Sequence, residues 1–181
     1  MKRTGDMNKE EIYRWLKTSG ISYEITEHKA VYNMAELSEA KLPWPEAIGK
    51  NLFIRDDKKR GYYLITMRGD KTCDLKAFRK EHGLRALSLA SAGDLEAILG
   101  LLPGSVTPLG LLNDEARQVK FFLDRDFLKP PGLAGVHPNE NRPPSGSARK
   151  TLWRSFRRTG MKRSGSISDG EKGNKKTKGK Q

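Results

Sequence analysis

One loop, LPGSVTPLGLLND at residues 102–114, combines residue types that suggest chemistry or binding. Pro103 and Pro108 exclude a central strand, because proline has no backbone N–H to donate to a sheet. Four apolar side chains between residues 106 and 112 are too many for a solvated linker. Ser105 and Thr107 bring hydroxyl groups, but their neighbours match no nucleophile motif. The loop is therefore either an apolar connection between elements or a binding segment without a protein nucleophile.

Standard catalytic and metal-binding signatures are missing from the sequence. It contains no G-x-x-x-x-G-K-[ST], G-x-G-x-x-G, G-x-S-x-G or H-E-x-x-H pattern. The histidines His28, His82 and His137 lie far apart without metal-ligand spacing, so we expect neither a metal nor another cofactor. Cys73 is the single cysteine, which excludes a disulfide framework and is best explained as a small packed residue.

The positive charge of the chain is concentrated at its C-terminal end. Residues 1–140 contain 22 Lys and Arg against 20 Asp and Glu, whereas residues 141–181 contain 13 against 2. An electrostatic argument for nucleic-acid binding therefore applies to the tail alone. The N-terminus lacks the apolar run of a secretory signal, and no segment reaches the ~18 apolar residues that span a bilayer. We expect a cytoplasmic protein that does not enter the membrane.

Helix and strand signals alternate along residues 8–124. Asn8 with Glu11, and Ser91 with the stretch that ends at Gly100, predict two capped helices. The segments KNLFIR and YYLITM flank a charged tip and predict a hairpin. The other predicted elements are strands over 21–28, 84–90 and 118–124 and helices over 33–40 and 74–83. Because the hairpin requires antiparallel pairing, we predict an α+β fold with a mixed sheet and flanking helices.

The order of several segments resembles the YbaK/ProX family of aminoacyl-tRNA deacylases, and within it the free-standing prolyl-tRNA editing proteins related to the editing domain of prolyl-tRNA synthetase. The segments that carry this resemblance are GKNLFIRDDKKRGYYLITMRGDK, DLKAF, LRALSLASAGDLEAILGLLPGSVTPLGLLND, VKFFLD and GVHPNEN. They lie between about Asn8 and Asn141. The resemblance implies a single YbaK-like deacylase domain over residues 1–141, with a curved sheet that is mixed or antiparallel.

The resemblance assigns roles to three polar side chains outside the loop. Lys50 occupies a position where family members place a critical lysine, and it would hold a phosphate of the terminal adenosine or the ester carbonyl. Asn51 would orient the substrate, and His137 would orient water or the ribose. The alternatives are a solvated lysine at a strand end, an asparagine that bonds a turn, and a structural histidine.

The same resemblance gives the loop a function, because Gly104 and Pro108 match the family's G-x-x-x-P segment, which lines the aminoacyl pocket. An aminoacyl ester is already activated, so its hydrolysis needs a positioned water and stabilised charge on the carbonyl oxygen. Gly104 lets backbone amides approach the substrate because it has no side chain. We therefore predict the catalytic residues Lys50, Gly104 and His137 and the substrate-binding residues Asn51, Ser105, Val106, Thr107 and Pro108.

The activity implied by the resemblance is trans-editing, in which alanine wrongly attached to proline tRNA is hydrolysed without a metal or covalent intermediate. Alanine would be accepted and proline excluded by pocket size. A preference for cysteine or serine stays open, as does the oligomeric state. The implied partners are mischarged tRNA(Pro) and, as a candidate, prolyl-tRNA synthetase. The alternative is a non-catalytic tRNA-binding homologue with a damaged C-terminal part.

The sequence departs from the family pattern after Asn141. The pattern expects a Thr-rich strand, an acidic helix and a last strand, but residues 142–181 are basic and rich in Gly, Ser and Lys. Such a composition predicts disorder. One hypothesis is a natural arm that adds affinity for tRNA. The other is a frameshift, because moving plausible codons of residues 149–162 by one frame gives an acidic helix like the missing one.

Overall fold

The computed structural model describes residues 6–29, 42–140, 148–155 and 165–167, which form two sheets and several helices. The helices are α1 (Lys9–Thr18), α2 (Leu75–Glu81) and α3 (Ala92–Leu99), with 3-10 helices at Pro45–Ala47, Pro108–Asn113 and Arg125–Leu128. The strands are β1 (Tyr23–Lys29), β2 (Gly49–Asp56), β3 (Tyr62–Arg68), β4 (Leu87–Leu89), β5 (Val119–Asp124), β6 (Leu133–Val136), β7 (Ala148–Ser155) and β8 (Gly165–Ile167). Antiparallel and parallel pairs occur together with these helices, which confirms the predicted α+β class.

Local sequence determines where two of the helices begin and end. The Asn8 side chain accepts from the Glu11 N–H at 2.9 Å, and the Asn8 N–H donates to the Glu11 carboxylate, which confirms the predicted cap of α1. Ser91 and Asp94 form the same reciprocal pair at α3. Gly100 ends α3 in a left-handed conformation with φ +64°, as a C-terminal glycine should.

The larger sheet has the strand order β4-β2-β3-β5-β8, and the predicted hairpin forms its β2–β3 pair. Successive side chains of a strand point to opposite faces of the sheet. Phe53 of β2 packs into the main core with residues of α1 and α3, whereas Ile54 packs with α2 on the other face. The sheet therefore separates two apolar layers. The side chain of each polar residue of β2 lies on one face of the sheet, next to one of these layers.

The smaller sheet has the order β1-β7-β6, with β7 antiparallel to both neighbours. Leu152 and Trp153 of β7 are each 1% exposed, and the Trp153 indole donates to the Thr26 hydroxyl at 2.8 Å. The prediction of disorder after Asn141 is therefore wrong for residues 148–155. The basic composition of the tail as a whole hides the two apolar residues Leu152 and Trp153. The strands β1 and β6 provide the backbone hydrogen-bond partners that a strand at this position requires.

Other sequence predictions for these regions have different outcomes. The strand β8 lies beside β5 in parallel orientation, which adds a second ordered part of the tail. The helix predicted over 33–40 lies outside the described residues. The domain boundary at 141 and the frameshift stay predictions. Within the described ranges, no helix is long and apolar enough to cross a membrane.

Candidate functional site

The loop between α3 and the 3-10 helix at Pro108–Asn113 is held in a conformation that requires glycine. Gly104 has φ +87°, a left-handed value that other residues rarely adopt. A Cβ atom built at Gly104 would meet no atom within 4 Å, so its face of the loop is open. Pro108 is buried and begins the 3-10 helix, where its missing N–H leaves no bond unmade.

Both hydroxyl groups of the loop have intramolecular partners. Ser105 is 3% exposed, and its Oγ donates to the Leu102 carbonyl at 2.7 Å while accepting from the Leu102 N–H at 3.1 Å. Thr107 is 0% exposed, and its Oγ1 donates to the His137 carbonyl at 2.8 Å. These contacts shape the loop, and Ser105 and Thr107 need no substrate to satisfy their side chains.

Three backbone amides of the loop, in contrast, lack acceptors within the described part of the chain. The N–H groups of Gly104, Val106 and Thr107 donate to no described residue. Gly104 is exposed and Val106 is half-buried, so water reaches them. Thr107 is fully buried. The loop therefore presents two unused donors, at Gly104 and Val106, of the kind that bind a carbonyl oxygen as it becomes negatively charged.

Asn51 connects this loop to the larger sheet. Its Nδ2 donates to the carbonyl oxygen of Val106 at 3.0 Å, and its Oδ1 accepts from the Thr66 hydroxyl at 2.6 Å. Thr66 pairs with Asn51 across the hairpin and is 0% exposed. Thr66 is not among the site residues that the sequence predicted. The signal that was available is a single polar residue inside the apolar strand YYLITM.

Lys50 lies on the opposite face of β2 from Asn51, because the two residues are consecutive in the strand. It is half-buried, and its ammonium forms no ion pair with a described residue. Burial raises the pKa of the nearby Cys73 thiol, and the charge of Lys50 opposes that rise. Lys50 thus lies on the side of Cys73 and α2, and the structure does not bring it into contact with the loop.

His137 follows β6 and is half-buried beside the smaller sheet. Its Nδ1 faces the Lys150 carbonyl at 3.4 Å, and a carbonyl partner requires the proton on Nδ1. In the neutral ring Nε2 is then the acceptor nitrogen. The ring centroid lies 6.5 Å from that of His28, whose Nε2 contacts the Thr151 hydroxyl at 2.9 Å inside the small sheet.

Four residues therefore form one hydrogen-bonded unit. Asn51 holds Val106, and Thr107 holds the backbone of His137, so the two sheets meet at the loop.

Among the described residues, no group of three or more His, Cys, Asp and Glu side chains is arranged to hold a metal ion.

Comparisons with known proteins agree on the family of this chain. The family model described as the aminoacyl-tRNA editing domain matches residues 28–143. The prolyl-tRNA editing protein ProX of Acetoanaerobium sticklandii is 38% identical over 121 residues, which cover 67% of this chain and 73% of that protein. The prolyl-tRNA synthetase associated domain-containing protein 1 of Bos taurus is 34% identical over 116 residues, covering 63% and 67%.

Solved structures share the fold at lower sequence identity. A structure described as that of a trans-editing enzyme for prolyl tRNA synthetase matches with a TM-score of 0.58 and 20% identity, over 81% of this chain and 85% of the other. A scaffold protein used for computational epitope grafting matches with a TM-score of 0.65 and 18% identity, over 89% and 94%. These structures extend the agreement from sequence to architecture.

Proposed function

Because the chain belongs to the aminoacyl-tRNA editing domain family, we propose that it is a deacylase that corrects mischarged tRNA(Pro). The observation that carries this proposal is the pair of backbone N–H groups at Gly104 and Val106, which are not fully buried and have no described acceptor. A loop that presents bare donors beside an open face fits the hydrolysis of an ester that needs no protein nucleophile.

The reaction needs only water and the ester. A water oxygen adds to the ester carbonyl carbon, and the electron pair of the carbonyl bond moves to its oxygen. The carbonyl bond then re-forms and the ribose oxygen of the terminal adenosine leaves, taking up the proton that the attacking water gives up. The products are the free amino acid and uncharged tRNA. The loop amides stabilise the charge on the carbonyl oxygen, and His137 orients the water or the ribose.

The amino acid that we propose as the substrate is alanine. Steric exclusion of a larger amino acid from a closed pocket can be strong, so a site that accepts alanine rejects proline. Cysteine and serine are close to alanine in size, and only measured rates separate the three. We also propose that the reaction needs no metal ion. The ester is already activated, and the fixed amide donors stabilise the negative charge on the carbonyl oxygen as a Lewis-acidic metal does in other enzymes.

The partners follow from the substrate. We propose that the protein binds tRNA(Pro) in the cytoplasm, where aminoacylation takes place, and that prolyl-tRNA synthetase is a candidate partner. The two named relatives carry prolyl-tRNA editing or synthetase-associated names, which supports this assignment.

The deacylase proposal is tested by measuring the hydrolysis of aminoacyl-tRNA by the purified full chain. Alanyl-, cysteinyl-, seryl- and prolyl-tRNA(Pro) are compared with and without a chelator. We expect alanyl-tRNA(Pro) to be hydrolysed fastest, prolyl-tRNA(Pro) to survive, and the chelator to change nothing. Tight binding of tRNA without hydrolysis of any ester would instead support the non-catalytic alternative.

A further inference from the structure

Helix α2 presents a positively charged face to solvent. Lys76 and Lys80 lie four residues apart, so their side chains are neighbours on one face of the helix. Phe78 between them is 3% exposed and packs in the apolar layer between α2 and the larger sheet, which turns both lysines outward. Arg79 lies beside them, and all three cations are exposed. These three side chains form the α2 cationic face.

The helix itself does not explain this arrangement. The helix dipole favours Arg79 and Lys80 in the last turn, but it disfavours Lys76, which lies in the first turn near the positive end. Like charges at this spacing also repel each other. None of the three cations forms an ion pair with a described residue, and the Asp74 carboxylate is used as the helix cap. The described part of the chain therefore leaves this positive charge unneutralised, which suits an anionic partner.

Lys50 lies on the same side of the larger sheet as α2. Leu52 and Ile54 of β2 pack in the apolar layer that α2 covers, and Lys50 shares their face because alternate residues of a strand point the same way. The positive charge of Lys50 is close enough to the Cys73 thiol to lower its pKa against the effect of burial. Cys73 comes two residues before α2 begins, so Lys50 lies near the start of this helix.

The α2 segment runs from Lys50 toward the far end of β2. At that end, the Asp57 N–H donates to the Ala86 carbonyl at 3.0 Å, and Asp56 pairs with Leu87 of β4. The segment over residues 73–86 therefore follows β2 from its start to its end, over ~20 Å at ~3.3 Å per residue. Lys50 and the α2 cationic face thus form one basic track along this side of the sheet.

The start of β2 connects the basic track to the loop. Asn51 follows Lys50 directly, points to the other face of the sheet and donates to the Val106 carbonyl at 3.0 Å. The basic track and the loop are therefore joined through two consecutive residues of one strand.

We propose that the α2 cationic face binds the acceptor stem of the tRNA, and that Lys50 holds a phosphate of the single-stranded 3′ end that leads to the ester. This inference rests on the proposed function. Double-stranded RNA is bound largely through its shape and backbone, and exposed lysine and arginine side chains contact phosphates without reading the sequence. The acceptor stem is the duplex that adjoins the ester, so it is the part of the tRNA that extends from Lys50 over α2.

Two substrates of different length test this surface. One is an alanyl minihelix that contains the acceptor stem of tRNA(Pro), and the other is an alanyl CCA trinucleotide that has no stem. In Lys76→Gln/Lys80→Gln we expect kcat/KM for the minihelix to fall ~10-fold, and the slope of its logarithm against log salt to weaken by ~1.5, because two phosphate contacts are lost. Hydrolysis of the trinucleotide should not change. Lys50→Ala should slow both substrates.

The matched control is Arg14→Gln/Lys17→Gln. These two exposed cations lie on α1, which packs in the apolar layer on the other side of the larger sheet, and neither forms an ion pair with a described residue. We expect this control to hydrolyse both substrates at normal rates. The melting temperature of the α2 double variant should not decrease, because the substitutions remove repulsion between like charges.

Binding of the uncharged minihelix, measured by fluorescence anisotropy, tests the surface without turnover. Wild type and the α1 control should bind it equally, and the α2 double variant should bind ~10-fold more weakly. Equal affinity and equal salt dependence of the α1 and α2 variants would overturn the inference, as would an equal loss of activity on the trinucleotide. If the wild-type chain hydrolyses neither ester while the α2 variant binds the minihelix more weakly, the proposed function fails and the binding surface stands.

Discussion

The hydroxyl of Thr107 donates to the carbonyl oxygen of His137 at 2.8 Å, across 30 residues of sequence. This bond joins the loop after α3 to the segment after β6, so the two predicted parts of the site are directly connected. Asn139 strengthens the junction, because its side chain donates to the Leu109 carbonyl at 3.4 Å. The position of the His137 ring therefore depends on a residue of the loop.

Removal of the Thr107 hydroxyl should affect both stability and hydrolysis. Thr107→Val leaves the His137 carbonyl without its donor, which costs about 1–3 kcal/mol of the free energy of unfolding when the acceptor is buried. We expect kcat to fall as well, because His137 loses its support. Thr107→Ser keeps the hydroxyl and should restore both quantities. Denaturant unfolding and deacylation rates measure them; equal rates in the valine and serine variants would contradict the coupling.

Lys50 should contribute to hydrolysis through its charge, which no described residue pairs. We expect Lys50→Ala to lower kcat/KM ~100-fold, by analogy with the loss of one preorganised donor. A loss in kcat indicates contact with the carbonyl oxygen, and a rise in KM with weaker salt dependence indicates a phosphate. Lys120→Ala is the matched control, an exposed lysine on β5. Normal activity of folded Lys50→Ala would remove Lys50 from the site.

Gly104 should be sensitive to substitution for two separate reasons, strain and blocked access. Gly104→Val forces a branched residue to φ +87° and fills the open space above the loop, so we expect hydrolysis to be lost. Gly20 provides the control, because it lies outside the loop and has φ +64° and equally open surroundings. Gly20→Val should lose stability by about 1 kcal/mol or more and keep its specific activity. Similar activity of the two variants would make the loop a simple connection.

The features that the sequence predicted correctly are local ones. Asn8 and Glu11, which cap the start of α1, are three residues apart, and Gly100 directly follows the end of α3. Short-range sequence patterns are therefore sufficient to predict these helix ends. Thr66 escaped prediction because its importance depends on a contact to Asn51 across the hairpin. The separation of Lys50 from Asn51 was within reach of the sequence, because consecutive residues of the predicted strand KNLFIR must face opposite sides of the sheet. The strand β7 was missed because its burial depends on β1 and β6.

Acid should weaken the folded state through Asp126. Hydrogen bonds from Lys129 and then Lys71 lower the pKa of this carboxyl to about 2, at 2.6 and 2.8 Å. Because the pKa is depressed by folding, the stabilisation is complete above the unfolded value of ~3.9 and is lost as pH falls toward 2. Lys129 is 71% exposed, so solvent screening limits the contribution to about 1 kcal/mol.

The variant Asp126→Asn tests this pH dependence. It should unfold more easily at pH 7, and its stability should change less than that of the wild type between pH 4 and 2. Asp57→Asn is the control, since its partner Arg85 lies at 2.7 Å on an exposed surface and the pair should contribute less. Urea titrations at a series of pH values measure both variants. Parallel stability curves for wild type and Asp126→Asn would show that Asp126 is not responsible.

Two truncations should separate the packed part of the tail from the rest. Ending the chain after Glu140 removes β7, which leaves β1 and β6 with unpaired edges and uncovers the core around Ala134 and Val136. We expect that chain to aggregate. Ending it after Ile167 keeps every described strand, so we expect the same melting temperature within a few degrees and weaker, less salt-dependent tRNA binding, because five lysines are removed. Circular dichroism and size-exclusion chromatography read out the fold. A stable monomer of residues 1–140 would show that the fold does not need β7. The only role left for the tail would then be salt-dependent binding of tRNA by its basic residues.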